Sequence, residues 1–214
     1  MMASDVELDD GKFMPVVDNF KYLGSLLTRD CKDTVEVVSP INAASHAFGA
    51  LRQCIFTSTN ISFPAKKMVY EGLILAILLY GSETWCLTEF LFRKLRVFHA
   101  RCVRAMCRVN RLHTRRFKIR TIDLLKRVGL STIDSYVTRR QIRWVGHVAR
   151  ISEERLPRKM LSCWVKERRP RGAPEFTYGR GVYKALKKVG LDKNDWYRTA
   201  MDGTKWRGIF NSCS

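Results

Sequence analysis

Apolar residues fall into distinct patterns along this chain. The densest run, Leu73–Tyr80, lies in a stretch with no charge between Glu71 and Glu83. A helix apolar on every side must be surrounded. Crossing a bilayer takes about 20 such residues, and Gly81-Ser82-Glu83 stops this run well short. The pattern therefore predicts a buried central helix, running from Ala65 to about Leu79, with one-sided segments packed around it. The clearest of those is Glu89 to about Val109. Leu91, Leu95, Phe98, Cys102, Met106 and Val109 recur in helical steps and share one stripe. Arg93, Arg101, Arg104, Arg108 and Arg111 fall on the other side, with no Glu four residues on to pair them.

The remaining elements follow from local signals. Val6–Leu8 and Phe13–Val17 flank Asp9-Asp10-Gly11, the spelling of a hairpin turn. Phe20–Leu23 continues as a strand, so a small β element opens the chain. A lone hairpin is marginal, which marks this end as an edge of something larger. Glu36–Phe56 has helical spacing at Ile41, Ala44, Phe48, Leu51 and Ile55, and Ser39-Pro40 offers it a start. Ser62, followed by Pro64, suits the cap of the central helix. Arg111–Arg120 is a basic link containing Arg115 and Arg116. Thr121–Val128 reads as a short helix closed by Gly129. Ser131 is placed to cap Thr132–Ile151, with Ile133, Val137, Trp144, Val148 and Ile151 on one stripe. Arg139, Arg143 and Arg150 lie opposite, and Gly146 loosens the helix beside His147. The Pro/Gly/Arg stretch Lys166–Pro174 is a candidate boundary. Beyond it Gly181–Val189 is helical, and Trp196 and Trp206 anchor the tail. The expected fold is mainly α: a helical bundle around a central apolar helix, with a small N-terminal β hairpin. Three parts are expected: a β edge at 1–30, a bundle at 31–165, and a basic linker with helical appendage at 166–214.

Charge changes the picture more than composition does. The apolar fraction of 46% is enough for a real core, but 39 Lys and Arg face only 20 acidic residues, a net of +19. The excess is one-sided: residues 1–40 carry 4 basic and 8 acidic groups, whereas residues 93–214 carry 32 and 9. So concentrated an excess points to a polyanion, nucleic acid before an anionic membrane. The seven cysteines, an odd number without tight spacing, suit reduced thiols in nucleus or cytoplasm, and Met1–Gly11 is too acidic and polar for a secretory signal.

Catalytic chemistry finds little footing. The acidic residues near the start form no carboxylate pair behind an apolar strand of the kind a two-metal site needs. His99, Cys102, Cys107 and His113 are the best metal candidates, but on a helix Cys102 and Cys107 point apart. No phosphate-binding Gly loop or nucleophile elbow is spelled. Hence no catalytic residue, metal ligand or cofactor is expected.

Four phrases together carry a resemblance. They are Phe20-Lys21-Tyr22-Leu23-Gly24-Ser25, Leu78-Leu79-Tyr80-Gly81-Ser82-Glu83-Thr84-Trp85, Arg143-Trp144-Val145-Gly146-His147-Val148-Ala149-Arg150, and Trp206-Arg207. Their order and spacing resemble the C-terminal third of reverse transcriptases from non-LTR (LINE-type) retrotransposons. The resemblance implies that the opening hairpin matches the end of the polymerase palm. It also implies that the helices match the thumb and the region beyond, which hold template RNA and the growing duplex. The catalytic palm, the fingers, the endonuclease and the family's zinc knuckle have no counterpart in these residues. Ser39-Pro40, Gly172-Ala173-Pro174, Tyr178 and Asp202-Gly203 depart from the family's usual spelling, as in a decayed or domesticated copy or a partial gene model.

The expected function is thus a nucleic-acid-binding remnant without polymerase chemistry, gripping RNA or DNA by the phosphate backbone. The expected contact residues are Arg93, Arg101, Arg104, Arg108, Arg111, Arg115, Arg116, Arg139, Arg143, His147 and Arg150. The missing palm is a further expected partner. The alternatives are a module docking on an acidic protein and a non-functional reading frame.

Overall fold

The computed structural model describes residues 6–7, 9, 11–22, 24–28, 33–162, 178–192 and 195–211. Two antiparallel hairpins open it. Strands β1 (Val6–Glu7) and β2 (Phe13–Met14) pair with each other, as do β3 (Asn19–Tyr22) and β4 (Ser25–Thr28). One β element is therefore two separate two-stranded ribbons. The second turns at Gly24, where φ is +89° and a Cβ would sit 2.8 Å from the Tyr80 ring. Glycine meets both demands.

The first long helix, α1 (Asp33–Leu51), starts upstream of Ser39-Pro40 and runs through Pro40. An interior proline removes one backbone bond. The earlier turns hold because Val37 is fully buried and Glu36 accepts a 2.8 Å bond from Ser25 Oγ. A π-helical turn at Arg52–Phe56 ends this arm.

The central helix comprises α2 (Phe63–Val69), a π-helical turn at Tyr70–Ile74, and α3 (Leu75–Leu78). Its buried line is Lys66, Tyr70, Ile74 and Leu78, four residues apart throughout. Side chains spaced by four drift round an α-helix by ~40° per step, and the wider π turn offsets that drift. The expectation that Leu73–Tyr80 is enclosed on every side is corrected: Leu73 is 43% exposed and Tyr80 58%. Ser62 occupies the cap position, but its hydroxyl makes no capping bond.

The expected stripe helix is α4 (Glu89–Met106), capped by Thr88, whose hydroxyl accepts from the Leu91 amide. Leu91, Leu95, Phe98, Cys102 and Met106 are buried. Then come α5 (Arg111–Arg116), α6 (Thr121–Val128), closed by left-handed Gly129, and α7 (Ile133–Arg150). Thr132, rather than Ser131, caps α7 by accepting from the Ser135 amide. The Ser131 carbonyl instead accepts from His99, at 3.0 Å. That ring's other nitrogen, Nδ1, accepts from Tyr70 Oη at 2.8 Å, so one buried histidine ties three segments together.

Two cores result. The first gathers α1, the central helix, α4, α6 and the start of α7. Here Phe48 stacks on Phe56 at 4.3 Å, and both rings meet Tyr70 edge-on. After α8 (Leu156–Ser162), the helices α9 (Tyr178–Lys188), α10 (Trp196–Met201) and α11 (Gly203–Asn211) close a second core on the far half of α7. The start of α7 is therefore buried through Ile133 and Val137 and its far half through Ile142, Val145 and Ala149. Trp206 is fully buried and Trp196 partly so. The architecture is mainly α, as the spacing predicts. Among the described residues no helix is long and apolar enough to cross a membrane. The expected linker Lys166–Pro174, with Cys31, Cys163 and Cys213, lies outside the described residues.

Candidate nucleic-acid interface

The outer face of α4 presents Arg93 and Arg101 exposed and Arg104 half-buried, with Arg108 just past its end at a φ of +56°. Arg111 opens α5, whose cap Asn110 accepts from the His113 amide at 2.6 Å. Among the described residues, none of these five guanidinium groups has a carboxylate within ion-pair distance. Arg101 is held by Ser45 Oγ at 2.9 Å and lies over the Phe98 ring. Burial and then the positive charges of Arg111 and Arg101 lower the pKa of Arg104. Like charges this close repel, and an anion beside them would relieve that repulsion.

Arg93, Arg104 and Arg111 line one groove of about 560 Å³ between α4, α6 and the start of α7, floored by Val97, Ile122 and Ile133. Arg96 and Asp134 line it as well; Arg96 forks onto Asp134 and also bonds Glu89. The sequence pattern does not single out Arg96, because Asp134 is 38 residues away. Its charge is spent internally. Arg115 and Arg116 are exposed on α5; the Phe117 ring meets that of His113 at 4.4 Å with a 41° tilt and has the Arg116 guanidinium 5.8 Å from its centre.

The α7 members of the expected set form a second group. Arg143 and His147 are exposed and Arg139 half-buried. They line a pocket of about 450 Å³ with Glu83, Tyr136, Arg140, Trp144 and the α11 residues Phe210 and Asn211. Trp144 was expected in the core stripe but belongs to neither core. It is half-buried, its ring 5.6 Å from that of His147. Being in line with Ile133 could not reveal that the flank there is open. Arg150 is not among the pocket residues: its guanidinium donates to the Ala200 carbonyl at 2.6 Å, tying α7 to α10.

Gly146 also has a different role. A Cβ there would stand 1.8 Å from Trp206 Nε1, and that indole donates to the Ile142 carbonyl at 3.0 Å. The glycine admits the tryptophan rather than loosening the helix. The four phrases thus meet in space. Gly24 receives Tyr80, and Gly146 receives Trp206. Arg140, just ahead of the third phrase, donates to the Leu79 carbonyl and to Glu83 in the second.

The metal candidates do not assemble. His99 is bonded on both nitrogens, Cys102 and Cys107 are buried, and among the described residues no three His, Cys, Asp or Glu groups cluster. Burial pushes the Cys102 thiol up to about 12.

Comparison with known proteins gives one informative likeness. A Caenorhabditis elegans protein whose name describes it as uncharacterized and transposon-derived is 26% identical over 156 residues, 72% of this chain and 52% of its own length. The chain therefore spans about half the length of that curated relative. No family model matches, and no solved structure matches.

Proposed function

We propose that this chain is a nucleic-acid-binding segment of retrotransposon origin. In this reading it corresponds to the region following the catalytic palm of a LINE-type reverse transcriptase, and it works in nucleus or cytoplasm. The observation that carries this is the groove lined by Arg93, Arg104 and Arg111, where the one lining carboxylate, Asp134, is engaged by Arg96 and none of the three has an ion-pair partner among the described residues. Such a groove favours a polyanion, and guanidinium groups suit phosphate oxygens by fixed fork geometry. The transposon-derived relative supports the origin. So do the spatial meetings of the four phrases, which give their joint occurrence a packing reason.

Binding in this reading is sequence-tolerant, made by phosphate contacts, and needs no metal or cofactor. A palm domain elsewhere in the parent protein is the natural neighbour of the two hairpins, which leave Phe13, Phe20 and Tyr22 more than half exposed. The test is competition on the purified chain. Labelled RNA is bound, then challenged with unlabelled RNA or with polyglutamate at equal charge. RNA should displace far better. Equal displacement would assign the groove to an acidic protein instead.

A further inference from the structure

We infer that the pocket on α7 is a second site, which takes one unpaired nucleotide by stacking its base on Trp144. The inference rests on the nucleic-acid reading above for its class of ligand, but its residues are separate from the α4 groove.

Three observations point there. Trp144 is half-exposed beside His147, and among the described residues its indole N–H has no hydrogen-bond acceptor. Arg143 is exposed on the same pocket and makes no ion pair with any carboxylate among those residues. Glu83 lies in the pocket and takes Arg140 on one carboxylate oxygen, at 3.3 Å, leaving the other for an exocyclic amino group. The volume of about 450 Å³ is that of a small-ligand pocket. An aromatic face, a free cation and an edge acceptor are the groups that read a splayed-out base with its phosphate. A duplex keeps its bases stacked and cannot offer one. An acidic peptide offers no flat ring to stack on the indole and no exocyclic amino edge for Glu83.

The test uses the full chain and a single-stranded, unstructured RNA carrying bromouridine. After irradiation and digestion, mass spectrometry locates the adduct, which is expected on Trp144 or His147. Trp144→Leu should weaken binding of that RNA about tenfold while blunt duplex RNA keeps its affinity. Arg143→Gln, at an exposed position, should weaken only the single strand, and it serves should Trp144→Leu not fold. An adduct elsewhere on RNA-bound protein, or equal losses for both RNAs, overturns this site and leaves the α4 groove standing. Loss of the adduct to polyglutamate while RNA stays bound would make the pocket a peptide site and overturn the inference. Absence of any RNA binding sinks both readings.

Discussion

Replacing Gly146 with alanine should destabilise the fold, against the usual effect of that change in a helix. Alanine is the better helix former by ~1 kcal/mol. Its Cβ, however, would lie 1.8 Å from Nε1, 2.3 Å from Cδ1 and 2.5 Å from Cε2 of Trp206. Those are ring atoms of a fully buried side chain, so the indole must move and its bond to the Ile142 carbonyl breaks. Overpacking costs ~1–3 kcal/mol and the lost hydrogen bond ~1 more, leaving a net loss of ~2 kcal/mol after the propensity gain. In a chain of this size that lowers the melting temperature by about 4–8 °C. Thermal unfolding followed by tryptophan fluorescence measures it. Two controls fix the cause. Gly49→Ala, in an exposed stretch of α1 with nothing within 4 Å of its Cβ, should stabilise by ~0.5–1 kcal/mol. In a Trp206→Ala background, Gly146→Ala should turn from harmful to mildly stabilising. A neutral or stabilising Gly146→Ala in the unaltered chain would refute the packing of α11 against α7, and with it the wall that α11 gives to the nucleotide pocket.

Two further outcomes follow. Burial lowers the pKa of His99, so the folded state holds it neutral while the unfolded chain protonates it near 6.5. Its stabilising contribution is therefore full above that value and is lost as pH falls through the lower folded value. Denaturant unfolding should show this fall in the unaltered chain and not in His99→Gln. A pH-independent stability would remove the Tyr70–His99–Ser131 tie. Alkylation of the native protein should label exposed Cys54 quickly and leave Cys102 and Cys107 unmodified until unfolding. Mass spectrometry reads this directly, and early labelling of Cys102 would contradict the packing of α4.

Much of the fold is legible in the sequence wherever periodicity is strong and local. Residues Leu91 to Met106 announce α4, and Gly129 announces the end of α6. What stays hidden depends on partners distant in sequence. Pro40 reads as a beginning until Val37 is seen in the core and Glu36 bonded to Ser25. Gly146 reads as slack until Trp206 arrives from 60 residues away. The π-helical turns at Arg52–Phe56 and Tyr70–Ile74 have no spelling that periodicity detects, yet the second of them sets which side of the central run is covered. The arginine rows are visible as rows, but only the structure separates Arg93, Arg104 and Arg111, which share a groove, from Arg150 of α7, which serves as a tether. Trp144 is the instructive case. Its angular position matches Ile133, and only the layout of α11 and the Glu83 loop leaves it at a pocket mouth.

The measurement closest to the central claim is the salt dependence of RNA affinity in the unaltered chain and in a triple Arg93→Gln, Arg104→Gln, Arg111→Gln variant. If these groups face phosphates, affinity falls as salt rises, and for single-stranded RNA the triple variant flattens the log–log slope by about 2. An unchanged slope, with affinity intact, would show that the α4 groove carries no phosphate and that its charge is merely solvated.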